Sequence, residues 1–143
     1  MNIPVFDLHC DTALELLGRN GEKEKSLRKN DCHIDLERAG KLAGYCQCFA
    51  CYTTPFMNDW MKITPETVFE QELAVLQKSL KENADVIKQA FTAADVEENL
   101  KKGLMSAIFT IEGPAGFGYD PQLLQDLYAV GFRLTTLDWN ESN

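Results

Sequence analysis

Apolar runs alternate with stretches of helical periodicity along the chain. Residues 3–9 (IPVFDLH) read as a short buried strand. Residues 11–17 begin a helix, which Gly18 and the Asn20-Gly21 pair end. A polar stretch runs to about Cys32, and a short helix over residues 35–42 then stops at Gly44. Residues 45–52 form a second apolar strand, bounded by Gly44 and Pro55. Thr64-Pro65 joins a capping hydroxyl to a proline at the first helical position, predicting a helix to about Glu82. Within it Phe69, Leu73, Leu76 and Leu80 recur at spacings of four, three and four, marking the face expected to be buried. Thr92 and Asp95 open a shorter helix that Gly103 closes. Residues 104–111 make a third strand, which runs into Glu112-Gly113-Pro114. Asp120-Pro121 starts another helix, with Leu123, Leu124, Leu127 and Tyr128 facing inward and Gly131 at its end. Residues 132–137 are the fourth strand.

Four strands separated by helices predict a parallel sheet with helical crossovers, because a hairpin cannot join parallel neighbours. Strands this apolar require cover on both faces. An open doubly wound sheet and part of a (β/α)8 barrel both fit this pattern. No G-x-G-x-x-G follows any strand, so a dinucleotide site has no support.

Composition narrows the function classes. The 143 residues, 45% hydrophobic and 25% charged, suit one globular domain. With 14 basic against 22 acidic residues the net charge is -8, which argues against nucleic-acid binding. No stretch is long enough for a membrane span, and the N-terminus lacks the basic and apolar regions of a secretory signal. Five cysteines (Cys10, Cys32, Cys46, Cys48 and Cys51) in an unsignalled chain predict reduced, mostly buried thiols and a cytoplasmic setting. Cys46-x-Cys48-x-x-Cys51 with Cys32-His33 offers thiolates for a structural zinc, but lacks the paired C-x2-C knuckles such sites take. Cys46 and Cys48 alternate as small buried strand residues do.

Candidate chemistry gathers at the C-terminal ends of the strands, where α/β folds place their sites. His9 and Asp11 end the first strand, and a two-residue spacing puts both side chains on one face if the strand stays extended. Glu112 follows the third strand; Asp138, Asn140 and Asn143 follow the fourth. One imidazole and two carboxylates suit a divalent metal. Taken alone, Asp11-Thr12 better suits a capped helix start, and Glu112 a solvated loop acid. Their joint placement after separate parallel strands favours a site. His33 reads as a residue at the start of a helix rather than a ligand.

Phe6-Asp7-Leu8-His9-Cys10-Asp11-Thr12 resembles the opening motif of the membrane dipeptidase (renal dipeptidase) family of metallopeptidases. His33-Ile34-Asp35-Leu36 resembles the segment before its second strand, and Ile111-Glu112-Gly113 its strand-three glutamate motif. Gly131-Phe132-Arg133-Leu134-Thr135-Thr136-Leu137 with Trp139-Asn140 resembles its strand-four segment. The resemblance implies the N-terminal half of a (β/α)8 metallohydrolase barrel, with residues 1–143 as a single partial domain of four β/α units. It implies a two-zinc centre in which His9 and Asp11 bind one ion and Glu112, the catalytic carboxylate, bridges both. Related amidohydrolases bridge their metals with a modified strand-four lysine, and residues 132–137 contain none. The implied reaction is hydrolysis of dipeptides by a zinc-activated water, with Trp139 and Asn140 near the substrate; Trp139 stands where some members place a histidine.

Two further histidine ligands and an assisting aspartate come from later strands in that family, and this chain ends before them. The expectation is therefore an incomplete site with little activity alone, and a half-barrel whose open edges favour a homodimer or other self-association. The rival readings are another metal-dependent barrel hydrolase, such as a deacetylase or lactonase, and a non-catalytic half-barrel.

Overall fold

The computed structural model describes residues 3–18 and 22–138. Strands β1 (Val5–Asp7), β2 (Tyr45–Tyr52), β3 (Ile87–Gln89), β4 (Met105–Glu112) and β5 (Phe132–Thr136) form one sheet. Every pairing in it is parallel. The helices are α1 (Thr12–Leu16), α2 (Leu36–Ala39), α3 (Met57–Trp60), α4 (Pro65–Glu82), α5 (Ala93–Lys101) and α6 (Leu124–Val130).

β3 corrects the four-strand reading. It pairs with the first residues of β4, Met105 to Ala107, while β5 pairs with Phe109 to Glu112 further along the same strand. The sheet order is β1-β2-β4-β3, and β5 pairs with a later length of the same strand β4.

Side-chain alternation along the strands separates two faces. Tyr45, Phe49 and Cys51 of β2, with Met105, Ala107, Phe109 and Ile111 of β4, join Ala13 and Leu16 of α1, Leu36 of α2 and Phe69 and Leu76 of α4 in one core. Phe49 and Phe109 are wholly buried, each contributing about 1.5–3 kcal/mol of burial. The opposite face carries Cys46, Cys48, Ser106, Thr110 and Glu112. There α5 covers only the N-terminal end of the strands, where Asn99 donates to Ser106 Oγ at 3.1 Å. Phe6 and Leu134, registered with Cys46 and Thr110 on this face, are about half exposed. This is the wall of a (β/α)8 barrel, with helices outside and the inner face open at the C-terminal ends of the strands. Among the described residues no helix is long and apolar enough to cross a membrane.

Local signals act as their chemistry requires. Thr64 caps α4 by accepting the Thr67 N–H, with Pro65 in the first turn. Thr92 and Asp95 close a reciprocal capping box on α5. The buried face of α4 is Val68, Phe69, Glu72, Val75, Leu76, Ser79 and Leu80, so the expected stripe is displaced and Leu73 lies at its half-buried margin. Of the residues expected to face inward around α6, Leu127 packs against the core and the other three are a correction. Leu123 precedes the helix, and Leu123, Leu124 and Tyr128 are exposed, because α6 covers only the outermost strand. The five cysteines are free thiols; Cys46, Cys48 and Cys51 are buried and the other two half-buried.

Candidate metal centre

β1 ends at Asp7, but the chain stays against β2. Cys10 N–H donates to the Cys48 carbonyl at 3.1 Å, and Cys10 O accepts from Ala50 N–H at 3.0 Å. Extended backbone through Cys10 turns its own side chain toward the core, where burial pushes the thiol up to about 11. His9 and Asp11 therefore share the other side. The Asp7 carboxylate accepts the His9 backbone N–H at 3.1 Å and fixes this bend.

Asp11 occupies the N-cap position of α1 yet makes no side-chain cap hydrogen bond. Its Oδ1 lies 3.2 Å from His9 Nε2 instead, and Glu112 Oε2 lies 3.2 Å from the same nitrogen. One donor atom from each of His9, Asp11 and Glu112 falls within 4.8 Å of the others, the only such cluster among the described residues. Asp11 does begin α1, as the helix-start reading expects, but its side chain turns to His9 instead of capping; Glu112 ends β4 with a largely buried side chain, so the solvated-loop reading fails. The cysteine zinc reading also fails: Cys51 faces the core and Cys46 the opposite side.

Glu112 is placed by β4, whose last residues register with β2 as Cys51↔Ile111 and Tyr52↔Glu112. Thr53 N–H donates to the Glu112 carbonyl at 2.9 Å, and Thr53 Oγ1 donates to the Gly113 carbonyl at 3.0 Å. Burial pushes the Glu112 carboxyl above its usual range; His9 opposes this and Asp11 reinforces it. Two close carboxylates around one imidazole nitrogen form a donor set that a divalent cation would stabilise. The residues fit a metal.

The cluster opens into a cavity of about 630 Å³, also lined by Leu14, Cys32, His33, Tyr52 and Trp60. That volume falls in the range of small-molecule sites. His33 lies two residues before Asp35, the N-cap of α2, and is exposed; it shares the cavity but not the three-residue cluster. Tyr52 and Trp60 meet edge to face, with ring centroids 6.4 Å apart. Trp60 carried no sequence signal because α3 is a single turn. Trp139, Asn140 and Asn143 lie outside the described residues.

Comparison with known proteins places this geometry. The family model for membrane dipeptidases, peptidase family M19, matches residues 1–143. The chain belongs to that family. It is 26% identical to a metallopeptidase from Rhodobacter sphaeroides solved with a phosphinate mimic of the dipeptide L-Ala-D-Ala, with a TM-score of 0.78 over 99% of this chain and 47% of that one. A second M19 metallopeptidase structure, dipeptidase AC, gives 26% identity and a TM-score of 0.77, covering 99% of this chain and 46% of the other. The dipeptidase verJ of Clonostachys rogersoniana is 24% identical over 155 residues, or 99% of this chain and 39% of its own length. The chain spans less than half of each of these M19 relatives. Membership agrees with the resemblance in the four motifs, and a metallopeptidase family implies a metal ion.

Proposed function

We propose that the chain carries one side of the metal centre of a dipeptidase, which hydrolyses the peptide bond of dipeptides. The observation that carries this reading is the meeting of His9 and Asp11, after β1, with Glu112, at the end of β4, in an M19 chain. Zinc, two ions to a complete site, suits the nitrogen and oxygen donors. Divalent ions held there would polarise the substrate carbonyl and lower the pKa of a water molecule.

The residues divide the work. His9 and Asp11 would hold one ion, with the His9 backbone tied by its N–H to the Asp7 carboxylate. Glu112, held at the end of β4, would supply its carboxylate to the ions. Tyr52 and Trp60 give the cavity an aromatic wall against which a substrate side chain packs. Trp139 and Asn140 are substrate-contact residues in this reading because residues 131–140 resemble the family's strand-four segment. Three side chains offer too few donors for two ions, so this reading includes further ligands from other strands. The chain alone then binds metal with little turnover. Unpaired thiols suit a reducing, cytoplasmic compartment.

Calorimetric titration with a phosphinate dipeptide mimic, with and without zinc, tests the reading. Binding is expected only with zinc, and a dipeptide but not a lactone or an N-acetyl amino acid should displace the mimic. Displacement by the lactone or the N-acetyl amino acid would favour another barrel hydrolase. Zinc-independent or absent binding would remove the dipeptidase reading. The half-exposed Phe6 and Leu134 favour a second association, the pairing of two copies across the open inner face, which sedimentation would detect.

A further inference from the structure

Glu72 lies in the middle of the buried face of α4, with no exposed surface. One carboxyl oxygen accepts the backbone N–H of Tyr52 at 3.2 Å, and the other has no partner. A buried, half-satisfied carboxyl costs stability that leucine at the same helix position would not. Packing therefore does not account for it.

Its neighbours do. Tyr52 ends β2 and stands opposite Glu112 in the β2–β4 register. The next residue, Thr53, donates its N–H to the Glu112 carbonyl and its hydroxyl to the Gly113 carbonyl, and its Oγ1 accepts the Gly116 N–H at 2.8 Å. Tyr52 and Thr53 thus form the support on which the Glu112 backbone rests, and Glu72 holds that support from the helix side. Asp11 and Glu112 lie close enough for their charges to reinforce the main effect of burial, which keeps the Glu72 carboxyl well above the usual range.

We propose that Glu72 is a positioning residue for the metal centre: through the Tyr52 N–H it fixes the end of β2 against which Glu112 is registered. This rests on the metal reading given above. It separates the functions of α4, whose apolar residues hold the wall together while one acid sets the height of the strand end.

The test compares Glu72→Gln, which keeps an acceptor oxygen for the Tyr52 N–H, with Glu72→Leu, which removes it. Zinc affinity is read by competition with a chromophoric chelator, and stability by denaturation. Glu72→Gln should stay within about 3-fold of the parent, and Glu72→Leu should bind roughly 10-fold more weakly or worse, with no lower unfolding midpoint. Parent-like affinity in Glu72→Leu, or equal loss in both variants, would overturn the proposal. A lower midpoint in Glu72→Leu with unchanged affinity would mark a packing role and overturn it too. A second measurement needs no variant: hydrogen exchange at the Tyr52 amide should slow when zinc is added. Should Glu72→Leu fail to fold, that exchange decides, and an amide indifferent to zinc rejects the link. A parent chain that binds no zinc would instead defeat the metal reading itself.

Discussion

Alanine at Gly113 is expected to destabilise the chain by about 3–5 kcal/mol and to weaken metal binding with it. Gly113 has φ +82°, a conformation that side chains resist, and a Cβ there would overlap the Thr53 carbonyl oxygen. Its N–H donates to the Thr136 carbonyl at 3.0 Å, so a shift at Gly113 also disturbs β5. The contact cannot relax by a side-chain rotation, since a Cβ is fixed by its own backbone and the Thr53 oxygen is backbone too. Gly118 supplies the comparison, with φ +64° and nothing within 4 Å of an added Cβ. Gly118→Ala should cost only the conformational part, about 1–2 kcal/mol. Denaturant unfolding of both variants checks this. Equal losses would show that the close approach to Thr53 is not what requires glycine beside Glu112.

His9→Ala and Glu112→Ala should each lower zinc affinity by roughly 100-fold or more, since each removes one of the three clustered donors among the described residues. His9 Nε2 stands between both carboxylates, so its loss also leaves Asp11 and Glu112 to repel each other. His33→Ala serves as the control. It lines the same cavity outside the three-residue cluster, and should leave affinity within about 3-fold of the parent. Calorimetric titration of the three variants with zinc decides. If His33→Ala loses as much as His9→Ala, the ligand set has been misassigned.

The candidate site is legible in the sequence where chemistry follows strand periodicity. His9 and Asp11 share a face because Cys10 between them remains extended and pairs with β2. Glu112 announces itself at the end of an eight-residue apolar strand, before a glycine with positive φ. Elements without a repeating apolar signal were not legible. β3 spans three residues, Ile87-Lys88-Gln89, of which only Ile87 is buried, and its place depends on the free edge of β4. Glu72 adds nothing to the apolar periodicity that marks the buried face of α4. Its position, three after Phe69 and four before Leu76, is the available signal: an acid at the centre of a buried stripe. The inward assignment of Leu123, Leu124 and Tyr128 failed for a different reason. Amphipathicity records which side of a helix seeks cover, while Leu124 and Tyr128 remain exposed in this chain.

X-ray absorption at the zinc edge of the loaded chain tests the central claim most directly. The structure predicts a first shell of one imidazole nitrogen with carboxylate and water oxygens at about 2.0–2.2 Å and no sulfur, and the signal should vanish in His9→Ala/Glu112→Ala. A sulfur shell at about 2.3 Å would assign the metal to the cysteines, and an unchanged spectrum in the double variant would place it elsewhere; either result would contradict the site built by His9, Asp11 and Glu112.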